Sequence, residues 1–240
     1  MFAKEKQESI RASDIEIDSL DTDYSGKEFL GIKMNKNTKT YFEALITLIG
    51  EEKTFKLLNN KGTKMDTYGN LIELNCKYLG SASYLPELPE SIEWLGIDRY
   101  LNNLPGGLKG LDYSFAKIRS LPPLPPELIH LNCGNTMIES LPDLPKGLKK
   151  LICNNTGIST LPELPAELEL LDCSDTSISS LQSLPAKLKI LRCQRSYLED
   201  LPDLPEGLEV VDCGGTPLSD NNELINTLRA KNPKTKIFTI

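Results

Sequence analysis

Apolar residues recur along the second half of the chain with a period of 20 positions. Five blocks begin at Leu131, Leu151, Leu171, Leu191 and Val211 and follow the pattern L-x-C-x-x-T-x-I-x-x-L-P-x-L-P-x-x-L-x-x. Five of the six cysteines fall on this grid: Cys133, Cys153, Cys173, Cys193 and Cys213. Degraded copies start at Leu74, Leu95 and Leu111, so the sequence predicts eight consecutive repeats.

Each repeat is predicted to form a short strand followed by extended chain. The alternation of Leu, a variable residue and Cys is the period-2 pattern of a strand with one buried face. The next apolar positions, such as Thr136 and Ile138, are expected to turn inward. The L-P-x-L-P segment favours an extended backbone, because Pro fixes φ and disfavours helix in the residue before it.

A single repeat cannot bury its leucines, but stacked repeats can, with parallel strands about 4.8 Å apart. The pattern is that of a leucine-rich repeat, with Cys at an inner leucine position and Thr at the Asn/Cys position. We therefore predict an α/β repeat protein, a leucine-rich-repeat solenoid with a concave parallel β-sheet and an extended, proline-rich convex side. The threonine hydroxyls are expected to bond backbone groups that the tight turn leaves unpaired.

The ends of a solenoid need caps, which suggests four segments. Residues 1–39 are predicted to be a flexible acidic segment, 40–70 a helical N-terminal cap, 71–219 the repeats, and 220–240 a helix-plus-strand C-terminal cap. Residues 40–59 carry amphipathic helical patterning broken near Gly50. Ser219 and Asp220 are the predicted N-caps of the C-terminal helix. Residues 1–30 could be read either as a secretion signal or as a loosely attached leader.

Composition narrows the classes of function. The chain has 240 residues, 39% hydrophobic, with 27 basic and 34 acidic side chains and a net charge of −7. An acidic balance argues against a nucleic-acid partner. No apolar stretch reaches the length of a membrane span, and the first residues lack the apolar region of a secretory signal peptide. With one histidine and no phosphate-binding or hydrolase motif, we expect no metal site, no cofactor and no catalytic residues.

The cysteine column is interpreted as small apolar filling of a narrow interior. One sulfur per repeat does not converge on a metal, and in-register parallel side chains rarely adopt the torsion of a disulfide. Reduced cysteines fit a cytosolic working compartment.

Two columns of variable residues are expected to face the concave surface. The first contains Asp112, Asn132, Ile152, Asp172, Arg192 and Asp212. The alternating signs of its last three members suggest cross-strand pairing worth about 0.2–1 kcal/mol each, and also a polar stripe that orients a partner. The second contains Trp94, Gly110, His130, Lys150, Leu170, Ile190 and Val210.

The apolar run Leu170, Ile190 and Val210 indicates a partner-binding patch, or cover by the C-terminal segment or by a neighbouring subunit. Trp94 is either an interface anchor or packed against the N-terminal cap. The predicted partner-binding residues are Trp94, Asp98, Asp112, His130, Asn132, Lys150, Asp172, Arg192, Arg195 and Asp212.

The segments LPDLPKGLKKL (141–151) and LPELPAELELL (161–171) resemble the short repeats of bacterial leucine-rich-repeat effectors of the YopM and IpaH kind. The resemblance extends from about Thr40 to Asp220 and implies a scaffold that binds host proteins. Enzymatic members carry a ubiquitin-ligase domain after the repeats, with a catalytic cysteine in a C-x-D motif. We expect that domain to be absent here. Cys173-Ser174-Asp175 matches the motif by letters, but Cys173 lies on the repeat grid and is expected to be buried.

Three hypotheses of function follow. The favoured one is a non-catalytic scaffold that binds a protein partner on the concave face, with the resemblance implying a virulence effector secreted into a host cell. The second is an enzyme, either a truncated or accessory component of an effector ubiquitin ligase or a hydrolase that uses His130. The third is a self-assembly module, a homo-oligomer packed through Leu170, Ile190 and Val210.

Overall fold

The computed structural model describes residues 10–11, 34–58, 62–77 and 85–240. The chain forms two compact units, the first made of Met1–Gly96 with Pro105–Leu108 and the second of Ile97–Leu104 with Lys109–Ile240. Apart from Ile10 and Arg11, the segment interpreted as a leader or a secretion signal lies outside the described residues.

In the first unit, helices α1 (Lys36–Ile49) and α2 (Glu51–Leu58) are separated by Gly50, whose φ of 85° lies in the left-handed region. The described strands are β1 (Ile10–Arg11), β2 (Lys64–Met65), β3 (Leu71–Asn75) and β4 (Trp94–Gly96). Strand β2 pairs antiparallel with both β1 and β3, while β3 and β4 are parallel.

Helix α1 begins at Lys36, before the predicted cap boundary at residue 40. Its N-cap explains the earlier start, because the Asn35 side chain accepts a hydrogen bond from the Thr38 backbone N–H at 2.8 Å. Phe42 and Leu45 on its inner side are fully buried.

The second unit contains the regular repeats and seven parallel strands. These are β5 (Gly110–Asp112), β6 (His130–Asn132), β7 (Lys150–Ile152), β8 (Leu170–Asp172), β9 (Ile190–Arg192), β10 (Val210–Asp212) and β11 (Lys236–Phe238). Neighbouring strands pair in a register that advances by one repeat, so that Leu151 lies between Leu131 and Leu171. The predicted leucine-rich-repeat solenoid with a parallel sheet is confirmed.

The interior consists of columns of repeated side chains. In each strand from β5 to β10 the middle residue is almost fully buried, and the cysteines of all five regular repeats are inaccessible. The threonine column behaves as predicted: Thr136 and Thr176 each donate a hydroxyl hydrogen bond to the carbonyl of the cysteine three residues earlier, at 2.7 Å. Ser196 makes the same bond, also at 2.7 Å.

The proline-rich segments connect one strand to the next as extended chain that ends in a tight turn. Leu148 and Leu168 each donate a backbone hydrogen bond at 3.0 Å to the proline carbonyl three residues earlier, Pro145 and Pro165. No helix occurs in residues 109–212, all of which are described, because each return segment is too short and too rich in proline.

The second unit ends with α3 (Pro217–Asp220) and α4 (Asn222–Lys231), followed by β11. The prediction that Ser219 or Asp220 caps the C-terminal helix is wrong, since both lie inside α3. The N-cap of α4 is Asn221, whose side chain accepts from the Leu224 N–H at 3.1 Å. Pro217 starts the extra turn, because proline suits the first position of a helix.

Candidate functional site

The outward side of the parallel sheet in the second unit is named here the strand face. It is formed by the first and third residues of strands β5–β10, whose middle residues point into the core. The first residues are Gly110, His130, Lys150, Leu170, Ile190 and Val210, and the third are Asp112, Asn132, Ile152, Asp172, Arg192 and Asp212.

The structure brings seven of the ten predicted partner-binding residues together on this face. They are Asp112, His130, Asn132, Lys150, Asp172, Arg192 and Asp212. The other three lie elsewhere. Arg195 occupies the turn after β9, and Asp98 precedes β5 and pairs with its neighbour Arg99 at 3.0 Å. Trp94 is half-buried in β4 of the first unit, opposite Glu73.

Four of the acidic or amide side chains on the strand face also hold the backbone that follows them. Asp112 accepts a hydrogen bond from the backbone N–H two residues later at 2.8 Å, Asn132 at 3.2 Å, Asp172 at 3.1 Å and Asp212 at 3.5 Å. Such bonds let Asp and Asn shape a turn. Sequence reasoning missed this role, although the recurrent Asp or Asn followed two positions later by Ser or Gly carries the signal.

The alternating charges on the strand face are only partly paired. The Arg192 guanidinium lies 3.9 Å from the Asp172 carboxylate, the weaker end of ion-pair geometry, and half of the Arg192 side chain is exposed. Among the described residues, no ion pair joins Arg192 to Asp212. The Asp212 carboxylate is instead directed toward the N–H of Gly214. The predicted three-member charge ladder is therefore a single loose pair.

A tighter pair lies beside the strand face. The Arg195 guanidinium donates two hydrogen bonds to the Asp175 carboxylate of the preceding repeat, at 2.5 and 2.6 Å. Hydrogen bonding and charge from Arg195 lower the pKa of Asp175, outweighing the opposing effect of burial. Arg195 thus has a structural partner within the chain.

A second set of charges connects the repeats just before their strands. Glu169 lies between Lys149 and Lys189, at 3.6 and 3.3 Å, and Lys187 pairs with Glu167 at 2.7 Å. The hydrogen bond from Lys189, together with both lysine charges, lowers the pKa of Glu169. These alternating charges support the stacking of successive repeats.

The cysteine column has the properties of packing residues. All six cysteines are free thiols and buried. Burial raises the pKa of Cys133 and Cys173 to about 12 and that of Cys213 to about 11. The Cys173 thiol lies 3.5 Å from the Arg192 carbonyl, inside the repeat. Since the thiolate is the reactive form, Cys173 is a poor nucleophile despite its match to C-x-D.

The remaining chemical features of the described chain are sparse. Burial, followed by the charges of Lys150 and Lys149, lowers the pKa of His130, which favours its neutral form at pH 7. Within the described residues, His, Cys, Asp and Glu side chains form no group of three that could hold a metal. No helix in that part of the chain has the length and apolar character needed to cross a membrane.

Parallel strands in 20-residue repeats, an interior of leucine, cysteine and threonine columns, and proline-rich return segments define a leucine-rich-repeat solenoid. No family model matches the chain, and no curated protein is similar to it. Comparison with solved structures gives clear matches.

The chain is similar to YopM, and this confirms the resemblance to bacterial leucine-rich-repeat effectors. It aligns with YopM from Yersinia pestis, titled a leucine-rich effector protein, at 25% identity and a TM-score of 0.63, over 85% of this chain and 60% of that one. YopM from Yersinia enterocolitica aligns at 39% identity and a TM-score of 0.52, over 55% of this chain and 30% of that one. A Shigella effector leucine-rich-repeat domain aligns at 22% identity, over 86% of this chain and 98% of the domain, with a TM-score of 0.49.

The chain spans less than two thirds of the length of either YopM protein. At the level of class, these neighbours support a protein-interaction scaffold.

Proposed function

We propose that this protein is a non-catalytic scaffold that binds a protein partner through the strand face, the concave face of the solenoid. The observation that carries the proposal is the run of Leu170, Ile190 and Val210 on three adjacent strands. These apolar side chains point outward and are only half-buried. Contiguous apolar surface on a soluble repeat protein marks an interaction site.

Polar groups beside this run would give the interface its specificity. Asp172 and Arg192 border the apolar residues on the same strands, and Lys150 extends the surface by one repeat. A partner with an apolar strip and charges along one side would match this pattern. Charged positions of this kind set orientation and association rate more than affinity.

The effector role is the second part of the proposal. Because the Yersinia pestis relative is titled an effector protein, we propose that this chain also acts on a host protein after secretion into the host cytosol. Six free, buried thiols support a reducing working compartment. Trp94 is proposed as an additional contact belonging to the first unit.

The test starts with a partner captured by the wild-type protein from host lysate, compared with lysate of the source organism. Affinity for the purified partner is then measured for Leu170→Arg combined with Ile190→Arg. We expect a loss of at least tenfold, because two charges would replace the centre of the apolar run.

The matched control is Ser159→Arg combined with Ser179→Arg, which adds the same charges at exposed positions off the strand face. The control should bind as the wild type does. Equal affinity for the strand-face variant and the wild type would eliminate the strand face as the binding site.

The self-assembly alternative uses the same apolar run, so it has its own test. Light scattering across a range of concentrations is expected to give a monomer for the wild type. A dimer that Leu170→Arg dissociates would transfer the run to a contact between copies.

A further inference from the structure

One position in every repeat of the second unit adopts a backbone conformation that few residues tolerate. This turn column lies just before the threonine column and has φ values from 51° to 70°. Its members are Phe115, Asn135, Asn155, Asp175, Arg195 and Gly215.

The stacking of the repeats imposes this conformation. Asn135 donates its backbone N–H to the Asn154 carbonyl at 2.8 Å, and Phe115 makes the equivalent bond to the Gly134 carbonyl at 3.1 Å. The residue type therefore does not decide the backbone angle. It decides only how well the angle is tolerated, and Gly, Asn and Asp tolerate the left-handed region best.

Two members of the column, Arg195 and Phe115, are poorly suited to the left-handed region. Arg195 has an internal reason to be there, since it forms the two hydrogen bonds to Asp175 and its methylene stem lies over Gly215. Phe115 has no such reason. Its side chain is 63% exposed, and within the described residues its ring stacks on no other ring.

The surroundings of Phe115 are apolar and basic. Met137 of the next repeat is 44% exposed. Lys117 and Arg119 are exposed on the same side of the turn, and neither forms an ion pair within the described chain. The nearby carboxylate of Glu139 belongs to a side chain that leans over Gly157, toward the following repeat.

We propose that Phe115, Lys117, Arg119 and Met137, named here the Phe115 surface, form a docking site for an acidic segment of a partner protein. The segment inserts one apolar side chain against Phe115 and Met137 and directs carboxylates toward Lys117 and Arg119. Backbone outliers without an internal cause are concentrated at functional sites. The uncompensated positive charges specify the sign of the partner.

This surface lies on the turn after β5, outside the strand face, so the inference does not rest on the function proposed above. It assigns a second contact region to the second unit. The Phe115 side chain is kept there at a cost to folding, which makes the test unusually sharp.

The deciding variant is Phe115→Asn, which removes the ring and restores a residue that tolerates the left-handed region. The probe is a 12-residue peptide with a central Leu flanked by Glu, titrated into isotope-labelled protein and followed by amide chemical shifts. We expect saturable shifts at residues 115–119 and 137. Binding should weaken at least tenfold for Phe115→Asn, and also when Lys replaces Glu in the peptide.

In the same variant the midpoint of urea unfolding should rise, because the backbone strain is relieved while no internal contact is lost. The strand-face variant with Leu170→Arg and Ile190→Arg should bind the peptide normally, which separates this test from the preceding one.

Three results would overturn the proposal. They are an absence of saturable shifts, unchanged peptide affinity in Phe115→Asn, or a lower unfolding midpoint in that variant, which would make Phe115 a structural residue. Self-association that Phe115→Asn abolishes in sedimentation velocity would assign the surface to a second copy of the chain and would equally overturn it.

Discussion

The inner and outer positions of each strand in the second unit follow different rules. Inner positions hardly vary, with Leu171 and Cys173 representing columns that recur in neighbouring repeats and are fully buried. Outer positions change from one strand to the next, as Leu170 and Asp172 differ from Lys150 and Ile152. The inner columns specify how the chain folds. The outer positions are free to differ because stacking does not depend on them, and they carry the individual character of the protein.

Leucine truncation tests this contrast with the largest expected effect. Leu171→Ala should lower the free energy of unfolding by about 2–5 kcal/mol, because it leaves a cavity in a continuous stack. Leu170→Ala, one residue away on the outer side, should cost less than about 1 kcal/mol. Urea unfolding followed by circular dichroism measures both. Similar losses for the two variants would show that the inner and outer positions have been misassigned.

The cysteine column should make stability fall at alkaline pH. In the unfolded chain a thiol ionises near its ordinary pKa of about 8.5. In the folded chain burial raises the pKa of Cys173 to about 12, so the folded state retains a proton that the unfolded state loses. Stability is therefore fully present below about pH 8.5 and is lost progressively as the pH rises toward 12.

Urea midpoints measured from pH 8 to 11 test this effect, and Cys173→Ala isolates the contribution of one thiol from the titration of lysines and tyrosines. The variant should show a shallower decline than the wild type. Identical slopes would mean that the thiol is already accessible to water in the folded state.

Removal of a threonine hydroxyl should have a smaller effect. Thr176→Val keeps the shape of the side chain but leaves the Cys173 carbonyl without its 2.7 Å partner. We expect a loss of about 1–2 kcal/mol in the free energy of unfolding. Thr176→Ser is the matched control and should retain most of the stability, because Ser196 makes the same bond in the next repeat. Equal losses for Val and Ser would exclude the hydroxyl as the cause.

The charged pair of the turn column should give the smallest effect. Asp175→Asn keeps a residue suited to the left-handed region and removes the charge that faces Arg195. Because Arg195 lowers the pKa of Asp175, the pair contributes at neutral pH and its contribution is lost as the pH falls through that lowered pKa. The difference in urea midpoint between variant and wild type should vanish at pH 2 and in 1 M salt. A difference that persists under both conditions would point to packing rather than charge.

The repetitive part of the fold was accessible from sequence because repetition multiplies a weak signal. A single Leu-x-Cys triplet predicts little, but the same triplet at Leu131, Leu151 and Leu171 fixes the strands, their parallel pairing and the inward direction of the sulfur. The threonine hydrogen bonds followed from the same reasoning, since a tight turn must pair its backbone groups.

Features set by local geometry were missed. The left-handed turn column was not predicted, because Asn135 and Asp175 read as ordinary variable residues until their φ values are known. The Asp and Asn bonds to the following backbone were missed for a similar reason, and Asp212 was therefore expected to pair with Arg192. The candidate site was placed on the correct kind of surface only in part: seven of its ten residues share the strand face, and Trp94 belongs to the first unit.

The direction of the cysteine side chains underlies the register of the whole repeat, and native-state thiol labelling measures it most directly. The protein carrying Lys150→Cys is exposed to a thiol reagent at pH 8 without denaturant, and modification of each cysteine is followed by mass spectrometry. We expect the introduced cysteine to react fully while all six native thiols, Cys173 included, remain unmodified. Modification of Cys173 at the rate of the introduced cysteine in folded protein would contradict the register on which this account depends.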